Sequence, residues 1–209
     1  MNHIYQITPQ KKNSIINNLS INTWIIITNI FLFILFTILI SLKLIPIDFI
    51  ALQPSNIING KYLWTFITSM FMHGGLFHLF VNMFSLFFVG SLVQKIIGKK
   101  RYLYFYLISG LFAGLFFVLM SFIFPSDFNA YAVGASGALF GLVGLLVLLT
   151  PNLPVYVMLI PIPIKMKYAG PGLVFLLWLF SITANVGIGN TAHLGGLIIG
   201  LLYGIYLKQ

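Results

Sequence analysis

Ser136 lies in the run Gly134-Ala135-Ser136-Gly137, and His193 in the run Ala192-His193-Leu194-Gly195-Gly196; each is a polar side chain near the start of an apolar stretch. A serine hydroxyl becomes a nucleophile when a neighbouring base takes its proton, and a neutral imidazole is the usual base. His78 and Asn82 stand four residues apart on one face of another apolar stretch, with His73 five residues before His78. Two such side-chain donors, joined by the backbone N–H of Ser136, suit an oxyanion hole. The chain has no cysteine, which excludes disulfides, thiol catalysis and cysteine-ligated metals. His73, His78 and His193 are candidate metal ligands, but no carboxylate or second histidine falls on the His78 face at ligand spacing, so neither metal nor cofactor is expected. Asp48 and Asp127 are the only acids, and both lie outside the apolar stretches. The expectation is a Ser136–His193 dyad, with an approach of Asp127 from its loop left open.

The elements that must hold these residues are membrane helices. Charged residues make up 6% of the 209 and hydrophobic ones 60%, with a mean hydropathy of +1.05. A water-soluble domain carries roughly 25% charged residues, so the solvent for most of this surface is lipid. The apolar runs lack the period-two alternation of a barrel, leaving a helical bundle as the way to satisfy the backbone in hydrocarbon. At roughly 20 residues per span, the chain holds about six helices. Residues 1–20 read as a short polar tail and residues 21–209 as one membrane domain. Helices are expected over Ile21–Leu42, Leu76–Ile97, Tyr102–Phe124, Ser136–Thr150, Gly172–Thr183 and Thr191–Leu207. Residues 46–75 and 152–170 read as connections, the first a long loop with Trp64, the second rich in Pro and Lys.

Six helices bring the N-terminus, the second-to-third and fourth-to-fifth connections and the C-terminus to one side. That side collects Lys11, Lys12, Lys95, Lys99, Lys100, Arg101, Lys165, Lys167 and Lys208, against Lys43 and Lys61 on the other. The asymmetry predicts cytoplasmic termini in a multi-pass protein of a cell membrane. It also explains the net charge of +9 as a topology signal, so nucleic acid is not an expected partner; the lipid bilayer is.

The fourth helix is short. Ser136 to Thr150 spans about 22 Å, against a hydrocarbon core near 30 Å. With its far end at the cytoplasmic interface, Ser136 lies submerged near the outer face, at a helix start that carries unpaired N–H groups. Gly137, Gly141 and Gly144 share a face of this helix, and His193, Gly196 and Gly200 share one of the sixth. Packing the two small-residue seams together brings His193 level with Ser136. Blander readings stand beside this one: Ser136 as an N-cap, the glycines as a structural seam, His193 as a helix-bridging hydrogen bond.

Taken together, these motifs resemble the rhomboid family of intramembrane serine proteases. The similarity rests on Gly134-Ala135-Ser136-Gly137 opening the fourth helix, Ala192-His193 followed by Gly195, Gly196 and Gly200 in the sixth, and His73, His78 and Asn82-Met83 at the second. It covers roughly residues 60–207. The resemblance implies an all-α membrane protein with a six-transmembrane-helix bundle and serine endopeptidase activity. Ser136 would be the nucleophile, His193 the general base, and His78, Asn82 and the Ser136 backbone the oxyanion hole. Gly134 would keep the site open to a carbonyl, Gly137, Gly196 and Gly200 would permit close packing, and loop 46–75 would lie partly in the outer leaflet. Substrates would be transmembrane proteins, cut in or near their membrane segments after a small residue, at a site opening to the extracytoplasmic side. Trp64 is followed by Thr65, where members often carry Arg, and Phe140 stands where many carry Tyr; a phenyl ring can still stack on the His193 imidazole. Two alternatives are carried forward: an inactive relative that binds membrane proteins without cutting them, and a small transporter. The sequence carries no signal for an oligomeric state.

Overall fold

The computed structural model describes residues 19–157, 161–184 and 189–209. The polar tail lies almost wholly outside these, as does most of the connection before the last helix. Six apolar helices make up the bundle: α1 (Ile21–Ser41), α2 (Leu76–Ile97), α3 (Lys99–Met120), α4 (Ser136–Leu149), α5 (Met166–Ala184) and α6 (Asn190–Lys208). All but α4 are long and apolar enough to cross a membrane. The chain is therefore a multi-pass membrane protein built on a six-helix bundle.

α4 is the centre of that bundle. Every residue from Ala138 to Val147 is buried, so the helix is apolar on all sides and presents none of this stretch to lipid. It packs chiefly on α6 and α3. The glycines decide how closely. A Cβ added at Gly196 would collide with the Gly137 carbonyl, and one at Gly200 with the Gly141 carbonyl. The facing glycines of α4 divide their duty: added Cβ atoms at Gly137 and Gly141 would meet Ala113 (2.7 Å) and Ser109 (2.5 Å) of α3, while one at Gly144 would meet the Leu197 carbonyl of α6. The expected seam is thus a three-helix junction rather than a two-helix one.

Several boundaries differ from the sequence expectation. α3 begins at Lys99 instead of Tyr102, because Gly98 at φ +83° reverses the chain in a single residue and no loop is needed. It also ends earlier, at Met120, and tight turns carry the chain on to Pro125. α5 begins at Met166, six residues before the expected start. Its first N–H groups, which lack intrahelical acceptors, donate to Leu153 (2.9 Å, from Met166) and Pro151 (3.1 Å, from Lys167). Those carbonyls lie just before β1 (Pro154–Val155), which pairs antiparallel with β2 (Ile164–Lys165), in a region expected to be largely a connection. Pro171 is tolerated inside α5.

The long loop 46–75 is also more ordered than expected. It contains a 3₁₀ turn at Ile47–Phe49, short helices at Pro54–Ile58 and Thr65–Thr68, and a second 3₁₀ turn at Ser69–Phe71. The Trp64 indole N–H donates to the Phe49 carbonyl at 2.8 Å, and the Phe49, Tyr62 and Trp64 rings cluster with centroids 5.1–5.6 Å apart. Loop 46–75 therefore closes on itself through Trp64, with Thr65 as the next residue.

In its C-terminal half, α2 contains a π-helical turn, Leu86–Gly90. The Leu86 carbonyl is taken by the side-chain amide of Asn22 on α1 (2.8 Å), which also donates to Ser91 Oγ (3.0 Å). Asn22 Oδ1 in turn accepts from the Tyr102 hydroxyl at 2.6 Å. Asn22 and Tyr102 are almost fully buried, so stranding either partner would cost about 1–3 kcal/mol. This network locks α1, α2 and α3 together beneath the site.

Candidate active site

The N-terminal ends of α2, α4 and α6 converge on one point. His193 Nε2 lies 2.8 Å from Ser136 Oγ, a hydrogen bond bridging residues 57 apart in sequence. Ser136 is the first helical residue of α4; the cap position belongs to Ala135, which makes no side-chain cap bond. The N-cap reading of Ser136 therefore gives way, and its hydroxyl turns to the imidazole instead. At 14 residues, α4 spans about 21 Å, some 9 Å less than a hydrocarbon core.

The imidazole of His193 is buried and stacked on the Phe140 ring, centroids 4.6 Å apart and planes 29° from parallel. Its Nδ1 finds no hydrogen-bond partner among the described residues. No carboxylate reaches it: Asp127 Oδ2 accepts from the Thr191 hydroxyl at 2.8 Å, two residues earlier on α6. Ring orientation here comes from aromatic packing where a serine-protease triad uses an acid.

His78 and Asn82 occupy the adjoining face of α2. The Gly74 backbone N–H donates to His78 Nδ1 at 3.2 Å, which places the imidazole proton on Nε2. That atom faces Gly134, where an added Cβ would come within 2.9 Å of it. Gly134 has φ +114°, a conformation that side chains resist, and its bare α-carbon leaves room for the His78 ring. Asn82 is buried, and one amide N–H goes to the His78 carbonyl at 2.9 Å, leaving a second N–H on the same nitrogen. His73 lies behind, its ring edge-on to His78 at 5.2 Å. Burial lowers the His73 pKa to about 4, with His78 nearby adding to the effect. Kept neutral, its Nε2 accepts from the Ala135 backbone N–H at 3.4 Å, supporting the turn that leads into Ser136.

All the expected residues thus gather at one end of the bundle: Ser136, His193, Phe140, His78, Asn82, His73 and Gly134 at the site, and Gly137, Gly196 and Gly200 in the packing beneath it. Nothing in the sequence spacing marks Thr191 or Ser69, whose carbonyl accepts from the Gly134 N–H at 2.8 Å. Both act through contacts between distant segments. Chemically, a hydroxyl hydrogen-bonded to an imidazole nitrogen, beside N–H donors at a helix start, can add to a carbonyl and hold the resulting oxyanion.

Comparison with known proteins gives concordant matches. The family model described as Rhomboid domain matches residues 60–209. The chain is 36% identical over 159 residues to RHOMBOID-like protein 1 of Arabidopsis thaliana, covering 74% of this chain and 37% of that protein. It is 33% identical over 141 residues to Inactive RHOMBOID-like protein 8 of the same plant, covering 65% and 36%. It is 31% identical over 161 residues to Rhomboid protease GluP of Bacillus subtilis (strain 168), covering 74% and 28%. The chain thus spans well under half the length of each of these relatives.

Proposed function

Because the chain belongs to the rhomboid family, we propose that it is an intramembrane serine endopeptidase acting by a Ser136–His193 dyad on transmembrane protein substrates. The observation that carries this reading is the 2.8 Å hydrogen bond between His193 Nε2 and Ser136 Oγ at the sunken start of α4. In the reaction, Ser136 Oγ attacks the scissile carbonyl as His193 Nε2 takes its proton. The carbonyl oxygen, now negative, is held by the Ser136 backbone N–H, the His78 Nε2–H and the free amide N–H of Asn82. His193 then gives its proton to the departing amine, which leaves an acyl-serine. Water attacks that ester with His193 again as base, releasing the new carboxyl end and restoring the hydroxyl.

The same reading places both termini in the cytoplasm and the site toward the extracytoplasmic side, following the positive-inside bias. Substrates would present a short unwound stretch of a membrane segment, with a small residue before the bond to be cut. A fluorophosphonate probe tests the core of the proposal, since it labels only an activated serine. The detergent-purified chain is expected to label; a folded chain that does not label would replace this reading with that of an inactive binder of membrane proteins. That alternative has a concrete footing, because the matched relatives include one named as inactive.

Asn82→Ala is expected to slow cleavage of a transmembrane substrate by roughly ten- to a thousandfold without abolishing it, the cost of one oxyanion donor. The check is kcat in proteoliposomes. Unchanged turnover would remove Asn82 from the site.

A further inference from the structure

The only two side-chain carboxylates of the chain both fasten the segment 125–135 that leads into Ser136. On one side, Asp48 Oδ1 accepts from the Tyr131 hydroxyl (2.9 Å) and from the Asn56 amide (2.8 Å), tying the segment to loop 46–75. Further bonds reinforce that side: Leu52 and Ala132 exchange backbone hydrogen bonds at 3.1 and 2.8 Å, Gln53 Nε2 donates to the Asn129 carbonyl at 2.9 Å, and the Gly134 N–H donates to Ser69. On the other side, toward α6, the hydrogen bond that Asp127 Oδ2 accepts from the Thr191 hydroxyl is the one such tie among the described residues. Thr191 is buried in the first turn of α6, two residues before His193. A carboxylate at that position is also favoured by the helix N-terminus.

His193 has no partner on Nδ1 among the described residues, so the height and rotation of α6 must be fixed by other means. Gly196 and Gly200 fix them within the bundle. At the N-terminal end of α6, we infer that Asp127, acting through Thr191, is a positioning residue that sets the Ser136–His193 contact by joining the segment that leads into Ser136 to the helix that carries His193. Asp127 does not touch the reacting atoms. It holds the register between the two segments that carry them, as a third group orients the base in other nucleophile–base pairs. The inference rests on the proposed dyad, and its test separates the two.

Asp127→Ala and Thr191→Val are each expected to slow fluorophosphonate labelling of the purified full chain about tenfold, the scale of a sub-ångström misplacement. They should leave KM for a transmembrane substrate within about twofold. Asp127→Asn and Thr191→Ser keep an acceptor and a donor, and should retain labelling within about twofold of wild type. The double variant Asp127→Ala/Thr191→Val should be no slower than either single one, because both remove the same bond. Wild-type labelling in Asp127→Ala, an Asp127→Asn as slow as Asp127→Ala, or additive losses in the double variant would each overturn the inference. The ¹⁵N resonance of His193 Nε2 supplies a readout independent of activity: its Ser136 hydrogen-bond shift should be lost in Asp127→Ala and kept in Asp127→Asn. If the wild type does not label but this resonance responds as stated, the catalytic reading fails and the positioning role stands; if the resonance does not respond, the positioning role fails.

Discussion

Ser136→Ala is expected to abolish both probe labelling and substrate cleavage, with rates falling on the order of 10⁴-fold or more, while the unfolding temperature in detergent hardly changes. The hydroxyl belongs to a half-buried residue, and its hydrogen-bond partner among the described residues is His193, so its loss removes the proposed nucleophile and little else. His193→Ala should be equally inactive, because the proposed base and nucleophile would act as a unit. Its structural cost differs. The imidazole is buried and stacked on Phe140, so this variant should also lose about 0.5–1.5 kcal/mol of stability from the broken stacking. Labelling of Ser136→Ala at the wild-type rate would move the nucleophile elsewhere.

Gly196→Val is expected to reduce stability and activity together. Even the first carbon of a side chain at this position would occupy the space of the Gly137 carbonyl, a backbone atom that cannot rotate away. α4 and α6 would have to separate, and His193 would draw back from Ser136 with them. Overpacking of this kind costs typically about 1–3 kcal/mol, and more where the obstacle is backbone. Thermal unfolding and labelling rate, measured on the same preparation, should fall in parallel. Gly172→Ala in α5 is the control: an added Cβ there meets nothing within 4 Å, and alanine favours a helix, so it should be neutral or mildly stabilising. A Gly196→Val protein with wild-type melting and labelling would show that the seam does not set the site.

The site is more legible in the sequence than the fold around it. Ser136, His193, His78 and Asn82 declare themselves because polar groups are rare in these helices, and helical spacing alone puts them on usable faces. The glycine seam is readable for the same reason, though not its division between α3 and α6. The start of α5 is hidden because Gly170 and Pro171 look like helix breakers; acceptors at Pro151 and Leu153, brought by a hairpin, let the helix begin before them. Loop 46–75 conceals its short helices because contacts made elsewhere in the fold hold each of them. Asn22 and Asn29, seven residues apart on one face of α1, signal the buried side of that helix, which its apolar residues alone do not. The Asp127–Thr191 and Asp48–Tyr131 bonds join residues 64 and 83 apart in sequence, and no local pattern encodes them.

The π turn of α2 carries a consequence for how such a chain can be inherited. Leu86–Gly90 lodges one residue more than an α-helix would use, and each residue turns a helix by about 100°. The extra residue therefore sets the facing of the N-terminal half of α2, with His78 and Asn82, apart from that of its C-terminal half, which faces Asn22 and Tyr102. Loss of a single codon from this turn would leave every polar residue of the site in the gene while swinging two of them away from the others. Descendants would then keep the whole signature in their alignments and have lost the geometry it stands for.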